Sequence, residues 1–152
     1  MVPVTQTRVG YPEGNCFMAA IASVLEVSLD DLPDLFDECC EWHEDGRWDH
    51  GDWWGVTRGA VRSLGWDIVY IPTKDHKGVP PGYSIAGGPS PRKDVVNGDG
   101  KNAGHAVVCL DGRMIHDPHP SGDGLDGNVV DEWYIFLVPP FPPDVPKEPH
   151  HG

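Results

Sequence analysis

Three residues far apart in the chain have the types and settings that nucleophilic catalysis needs: Cys16, His105 and Asp117. Cys16 follows the loop GYPEGN and opens the run CFMAAIASVLEV, whose apolar residues recur at three- and four-residue steps. Such a run is a helix with an apolar face, and its abundance of alanine favours the same state. A sulfur at the head of a helix sits beside unpaired N–H groups and the positive end of the macrodipole. That setting stabilises thiolate over thiol, the first requirement of a cysteine nucleophile. A buried structural cysteine in the same helix is the competing reading. His105 opens the apolar strand HAVVCL, where packing alone would call for another apolar residue. Asp117 closes the following segment RMIHD just before Pro118. A nucleophile needs a base and the base needs an orienting acceptor, and these two residues could supply both.

The hairpin between them decides whether they meet. A two-residue turn at Asp111-Gly112 pairs Leu110 with Arg113 and sets Ala106 opposite Asp117. His105 and Asp117 then face opposite sides, because strand faces alternate with period two. A three-residue loop, Leu110-Asp111-Gly112 with Gly112 left-handed, pairs Cys109 with Arg113 instead. His105 then lies opposite Asp117. Both turns are common and glycine suits both. The three-residue loop is the expectation, since it makes a pair of two otherwise puzzling residues.

The segments GNCFMAAIASVL and GHAVVCLDGRMIHDPHP together resemble the papain-like cysteine peptidase superfamily. They look nearest its small bacteriocin-processing-peptidase-like branch, found in phages and bacteria. The resemblance spans roughly residues 6–27 and 104–120. It implies a papain-like α+β fold in which a central helix headed by the cysteine packs on a C-terminal antiparallel sheet. It also implies Cys16 as nucleophile, His105 as base and Asp117 as orienter. These families place a glutamine shortly before the cysteine as oxyanion donor. Gln6 is the upstream candidate, ten residues away, which is further than usual; Asn15 or the Cys16 N–H could serve instead. The activity implied is amide-bond hydrolysis (peptidase or amidase) through a thioester at Cys16. An acyltransferase using the same thioester to acylate an amine, or a catalytically silent binding module, are the alternatives.

Other residues offer weaker signals. Trp42, Trp48, Trp53 and Trp54 form either a packing cluster or a pocket wall, and Trp53 and Trp54 are the candidates for contact with substrate. Gly87 and Gly88 could bring backbone close to a ligand, or simply turn the chain. Cys39, Cys40, His43 and His50 lack the usual zinc spacings, and His116 and His119 converge only if the chain turns at Pro118. No metal or cofactor is expected. The four cysteines form no disulfide framework, and Cys109 reads as a small core residue.

The elements that must position the site follow from pattern. A second helix is expected from Ser28 or Asp30 with Pro33 in its first turn, and a third from Trp53 to Leu64 stopped by Gly65. Residues 44–52 read as a loop. Strands are expected at 66–72, 83–87, 105–110, 113–117 and 132–139. The long connection 89–104 reads as a lid over the Cys16–His105 cleft. One domain over 1–139 and a Pro-rich extended or disordered tail over 140–152 complete the organisation.

The 152 residues carry a net charge of −13. That balance repels phosphate backbones and excludes a bare nucleic acid as partner. Between residues 30 and 52 ten acids face the single Arg47, either as a solvated face or as a surface selecting a cation. No apolar run approaches the ~18 residues of a membrane span, and the N-terminus has no signal-peptide pattern. A soluble cytoplasmic protein is expected. Its partner would be a peptide, amide or acyl small-molecule substrate, possibly cationic.

Overall fold

The computed structural model describes residues 1–92 and 103–138. The order is mixed α+β, helices first and an antiparallel sheet after. Helix α1 (Cys16–Leu25) is followed by a 3-10 turn (Leu29–Asp31) and a short helix α2 (Leu35–Cys39). A small hairpin, β1 (Glu41–His43) and β2 (Arg47–Asp49), leads to helix α3 (Trp53–Ser63). The main sheet comprises β3 (Asp67–Pro72), β4 (Tyr83–Pro89), β5 (Gly104–Leu110), β6 (Arg113–His116) and β7 (Glu132–Leu137). Its strand order is β3-β7-β4-β5-β6, antiparallel throughout.

Helix α1 is the hub. Met18 to Ser23 are all buried in it, and its apolar side packs on β4 and β5 through Ile85, Ala106 and Val108. Burying one such isoleucine side chain, as at Ile21, is worth roughly 1.5–3 kcal/mol. The other face of the sheet, carrying Ala86, Val107, Cys109 and Trp133, is covered by Leu125 and Val130 from the segment that joins β6 to β7. The N-terminal segment is tied down too. Ser23 Oγ accepts from Val4 N at 2.9 Å, Gln6 N donates to Pro118 O at 2.9 Å, and the His116 ring donates to Val4 O at 2.8 Å.

Several sequence expectations require correction. The second helix is broken at Leu32, which adopts an extended conformation because a residue preceding proline is pushed out of the helical region. Ser28 caps the 3-10 turn and Asp34 caps α2. The expected loop over 44–52 contains β2, in which Trp48 pairs with Trp42 of β1. Glycine ends α3 as anticipated, with Gly65 at φ +90°. The lid expected over 89–104 begins and ends in the ladder, since Pro89 pairs with Gly104. Its centre, 93–102, and the tail over 140–152 lie outside the described residues.

The largest correction concerns the hairpin. Leu110 pairs with Arg113, and Asp111 and Gly112 both have positive φ (+50° and +80°), which is the two-residue type I′ turn. Cys109 pairs with Met114, but Val108 pairs with His116, so Ile115 is an extra residue, a β-bulge. The bulge shifts the register by one. Continued along the chain, it sets Asp117 level with Val107 and therefore on the same face as His105. The anticipated loop was wrong, yet the pairing it was chosen to explain is achieved by another device.

Gly112 is the residue to test in this turn. A Cβ there would lie 2.6 Å from Val79 Cβ while φ stays at +80°. Gly112→Val is expected to cost about 2–4 kcal/mol, combining backbone strain with overpacking, as read by denaturant unfolding.

Candidate active site

Cys16, partly exposed, is the first residue of α1, and the helix is entered through Asn15. Asn15 occupies the N-cap position, but its side chain makes no cap. Its Oδ1 accepts from Thr7 N and Arg8 N, both at 3.0 Å, and its Nδ2 donates to Thr7 Oγ1. Asn15 thus staples the preceding loop, and the N-terminal amides of α1 keep no side-chain partner from their cap. It lines a different cavity from Cys16, so the oxyanion role considered for it has no geometric support.

His105 and Asp117 form a buried pair. Nε2 of His105 lies 2.7 Å from Asp117 Oδ1, and the two side chains are only 3% and 2% exposed. The carboxylate is held from behind: Oδ1 accepts from His119 N at 2.9 Å and Oδ2 from Gly124 N at 2.8 Å. Burial by itself would favour neutral Asp117, but the bonds from His105, Gly124 and His119 outweigh it and hold the carboxyl below its usual value. Burial also opposes a charged His105. The bond to Asp117 and the nearby sulfur of Cys16 overcome this and raise the imidazole to about 9. With Nε2 committed to Asp117, Nδ1 is the nitrogen left for the sulfur.

Cys16 and His105 open on a cavity of about 380 Å³, and Asp117 lies behind the ring. Gln6 reaches its wall despite its distance in sequence, because the loop 7–15 folds back over the helix start. Its Nε2 donates to Arg8 O at 2.8 Å, while its buried Oε1 accepts nothing from the described residues. Trp53 and Gly87 line the cavity, but Trp54 and Gly88 do not. Trp54 stacks on Trp53, Tyr70 and Tyr134 as packing. A side chain at Gly88 would collide with Val129 O, so that glycine serves close backbone packing.

Two residues were missed from sequence. Glu132, at the start of β7, puts a half-buried carboxylate into the cavity, and Cys40 adds a second thiol to its wall. Cys40 Sγ lies 3.2 Å from His50 Nδ1, and His50 Nε2 lies 2.8 Å from Tyr11 Oη. Burial, then the neighbouring Cys39 and the acids Asp34, Asp49 and Glu13, push the Cys40 thiol up, which opposes thiolate formation. The zinc reading is not supported: His43 turns to Asp49 Oδ2, 3.1 Å away, and no metal-binding group occurs among the described residues. His116 and His119 also diverge, to Val4 O and to Ser121. The sequence offered Cys40 only in a zinc reading and did not mark Glu132, because only the fold brings the end of α2 and the start of β7 to the cavity of Cys16.

No family model, curated protein or solved structure matches this chain.

The pair sets a pH dependence. Its imidazolium is favoured in the folded state, so that contribution is whole below the ordinary histidine value of 6.5 and is lost as pH rises through about 9. The Asp117 contribution is whole above the ordinary aspartate value of 3.8 and is lost as pH falls through its lowered value. NMR titration of His105 is expected to show a midpoint near 9, shifted down in Asp117→Asn. An unchanged midpoint in that variant would show that the carboxylate does not hold the ring.

Proposed function

We propose that this chain is a papain-like cysteine-dependent amide-bond hydrolase, a peptidase or amidase, working in the cytoplasm. The observation that carries the reading is the buried His105–Asp117 pair, which leaves one ring nitrogen of His105 uncommitted to Asp117, on the same open cavity as a cysteine at a helix head. No helix among the described residues is long and apolar enough to cross a membrane, and four free cysteines fit a reducing compartment.

With its imidazole raised to about 9, His105 carries a proton at neutral pH and can face a Cys16 thiolate as a counter-ion. The thiolate attacks the amide carbonyl, forming the C–S bond. The resulting oxyanion is met by the Cys16 N–H and by the second Nε2 hydrogen of Gln6, the first being spent on Arg8 O. His105 Nδ1 gives its proton to the leaving nitrogen, the C–N bond breaks, and a thioester remains. Water then passes a proton to Nδ1 and attacks the thioester. The C–S bond breaks, the acid leaves, and thiolate and imidazolium are restored. Asp117 fixes the ring and stabilises its charge without taking the proton.

Mass detection of adducts after incubation with a panel of small amides and thioesters tests this. An acyl group should appear on Cys16, and Cys16→Ala should lower turnover by more than about 10³. Near neutral pH Cys16 is expected to be the fastest-alkylated thiol, and Cys109 to lag by at least roughly tenfold, since burial pushes its thiol to about 11. An acyl adduct that discharges only to an added amine would assign acyl transfer instead. Equal alkylation of Cys16 and Cys109 with no acyl adduct would leave only a binding module.

A further inference from the structure

We infer that the cavity selects substrates bearing a cationic group, an ammonium or guanidinium, with Glu132 as the residue that recognises it. The inference rests on Cys16 being the reactive centre and names the substrate class for it. Glu132 lines the same cavity as Cys16 and His105 and forms no ion pair among the described residues. Its one side-chain bond among the described residues is a long one, accepted at Oε1 from Tyr134 Oη at 3.4 Å. The charge that acts on it, Asp131, is another acid. Burial, then Asp131, push its carboxyl up, so the free protein holds this charge at a cost that a cation would relieve.

The space around Glu132 is built for it. Gly87 sits opposite Glu132 in the ladder between β4 and β7. A Cβ at Gly87 would lie 2.6 Å from Glu132 Oε1 and 2.9 Å from its Cδ, so the carboxylate occupies the room that a side chain would take. The cavity also presents aromatic rings. Phe17 packs 4.7 Å from Tyr134 and 6.1 Å from Trp53, and all three line the space. A carboxylate bordered by aromatic faces satisfies a cation twice, through its charge and through the ring quadrupoles. Of the two cationic side chains in the same cavity, the His105 imidazole is committed to Asp117 and Arg92 donates to Ser121 Oγ at 3.3 Å.

The acid-rich stretch between residues 30 and 52 is a poorer candidate for this selection, because several of its carboxylates have local work. Asp31 belongs to a capping box, Asp34 caps α2 and pairs with Arg8 at 2.8 Å, and Asp52 caps α3.

Charge-matched thiol reagents test the inference without knowledge of the natural substrate. Methanethiosulfonates carrying ethylammonium, hydroxyethyl or ethylsulfonate groups form mixed disulfides with Cys16 and release methanesulfinate, and mass spectrometry reads each rate. The native protein is expected to favour the ammonium reagent over the sulfonate. Glu132→Gln should reduce that ratio by roughly tenfold, because it removes a charge in a low-dielectric cavity. Asp131→Asn removes an equal charge from an exposed neighbour and should change it less than about twofold. Gly87→Ala, whose methyl displaces the carboxylate, should act as Glu132→Gln does and serves if that variant unfolds. Equal effects of Glu132→Gln and Asp131→Asn would overturn the inference. Charge selection that persists with no amide ever cleaved would sink the hydrolase reading and leave this one standing.

Discussion

The buried contact between His105 and Asp117 is the constraint around which this molecule is arranged. Two ionisable groups almost fully withdrawn from water are costly unless each finds a partner and its remaining lone pairs are satisfied. Here the carboxylate is met on three sides: the imidazole, the N–H of His119 and the N–H of Gly124. Removing the carboxylate would leave a buried ring without its counter-charge, a loss of about 3–5 kcal/mol by analogy with other buried pairs. The segment from Pro118 to Leu125 curls over the carboxylate to deliver those amides. In doing so it brings Leu125 onto the outer face of the sheet. One contact thereby couples the chemistry to the packing of the connection before β7.

The same geometry sets the two cysteines of one cavity in different surroundings. Cys16 has the end of a buried helix behind it and a charged imidazole beside it. Cys40 has a histidine as well, yet burial, the adjacent Cys39 and nearby acids raise its thiol. Proximity of thiol and imidazole is therefore not sufficient. The ring at Cys16 is charged because Asp117 stands behind it, whereas the ring at Cys40 leans on the phenol of Tyr11. In an otherwise acidic chain, the head of α1 and the His105 imidazole are the positive features beside Cys16.

Two glycines of β4 stand where a side chain would collide with its neighbours. Gly87 leaves room for Glu132, and Gly88 lets Val129 approach the strand that pairs with His105. These small positions lie at the end of β4 nearest the cavity, so the sheet that builds the core also shapes its floor. Tyr134 and Phe17 link the two regions, packing on the core and on the cavity wall together.

Local chemistry made much of this legible in the residues themselves. The run of alanines and spaced apolar residues after Cys16 can only bury itself as a helix, and the alternating strands downstream need a layer to cover them. The identities of Cys16, His105 and Asp117 were readable because each is chemically out of place for pure packing. Register was not readable. Asp111-Gly112 suits either turn, and the extra residue at Ile115 leaves no mark in composition, since a bulge depends on the twist and pairing of both strands. The break at Leu32 was encoded locally, in the proline that follows, but its weight against a helical stripe was misjudged. Glu132, Gln6 and Cys40 came to the cavity only through tertiary structure. A lone acid, amide or thiol has no periodicity, and its surroundings are set by strands and loops distant in sequence. The chain's own residues thus determined which groups could react, and the folded sheet decided which of them share a site.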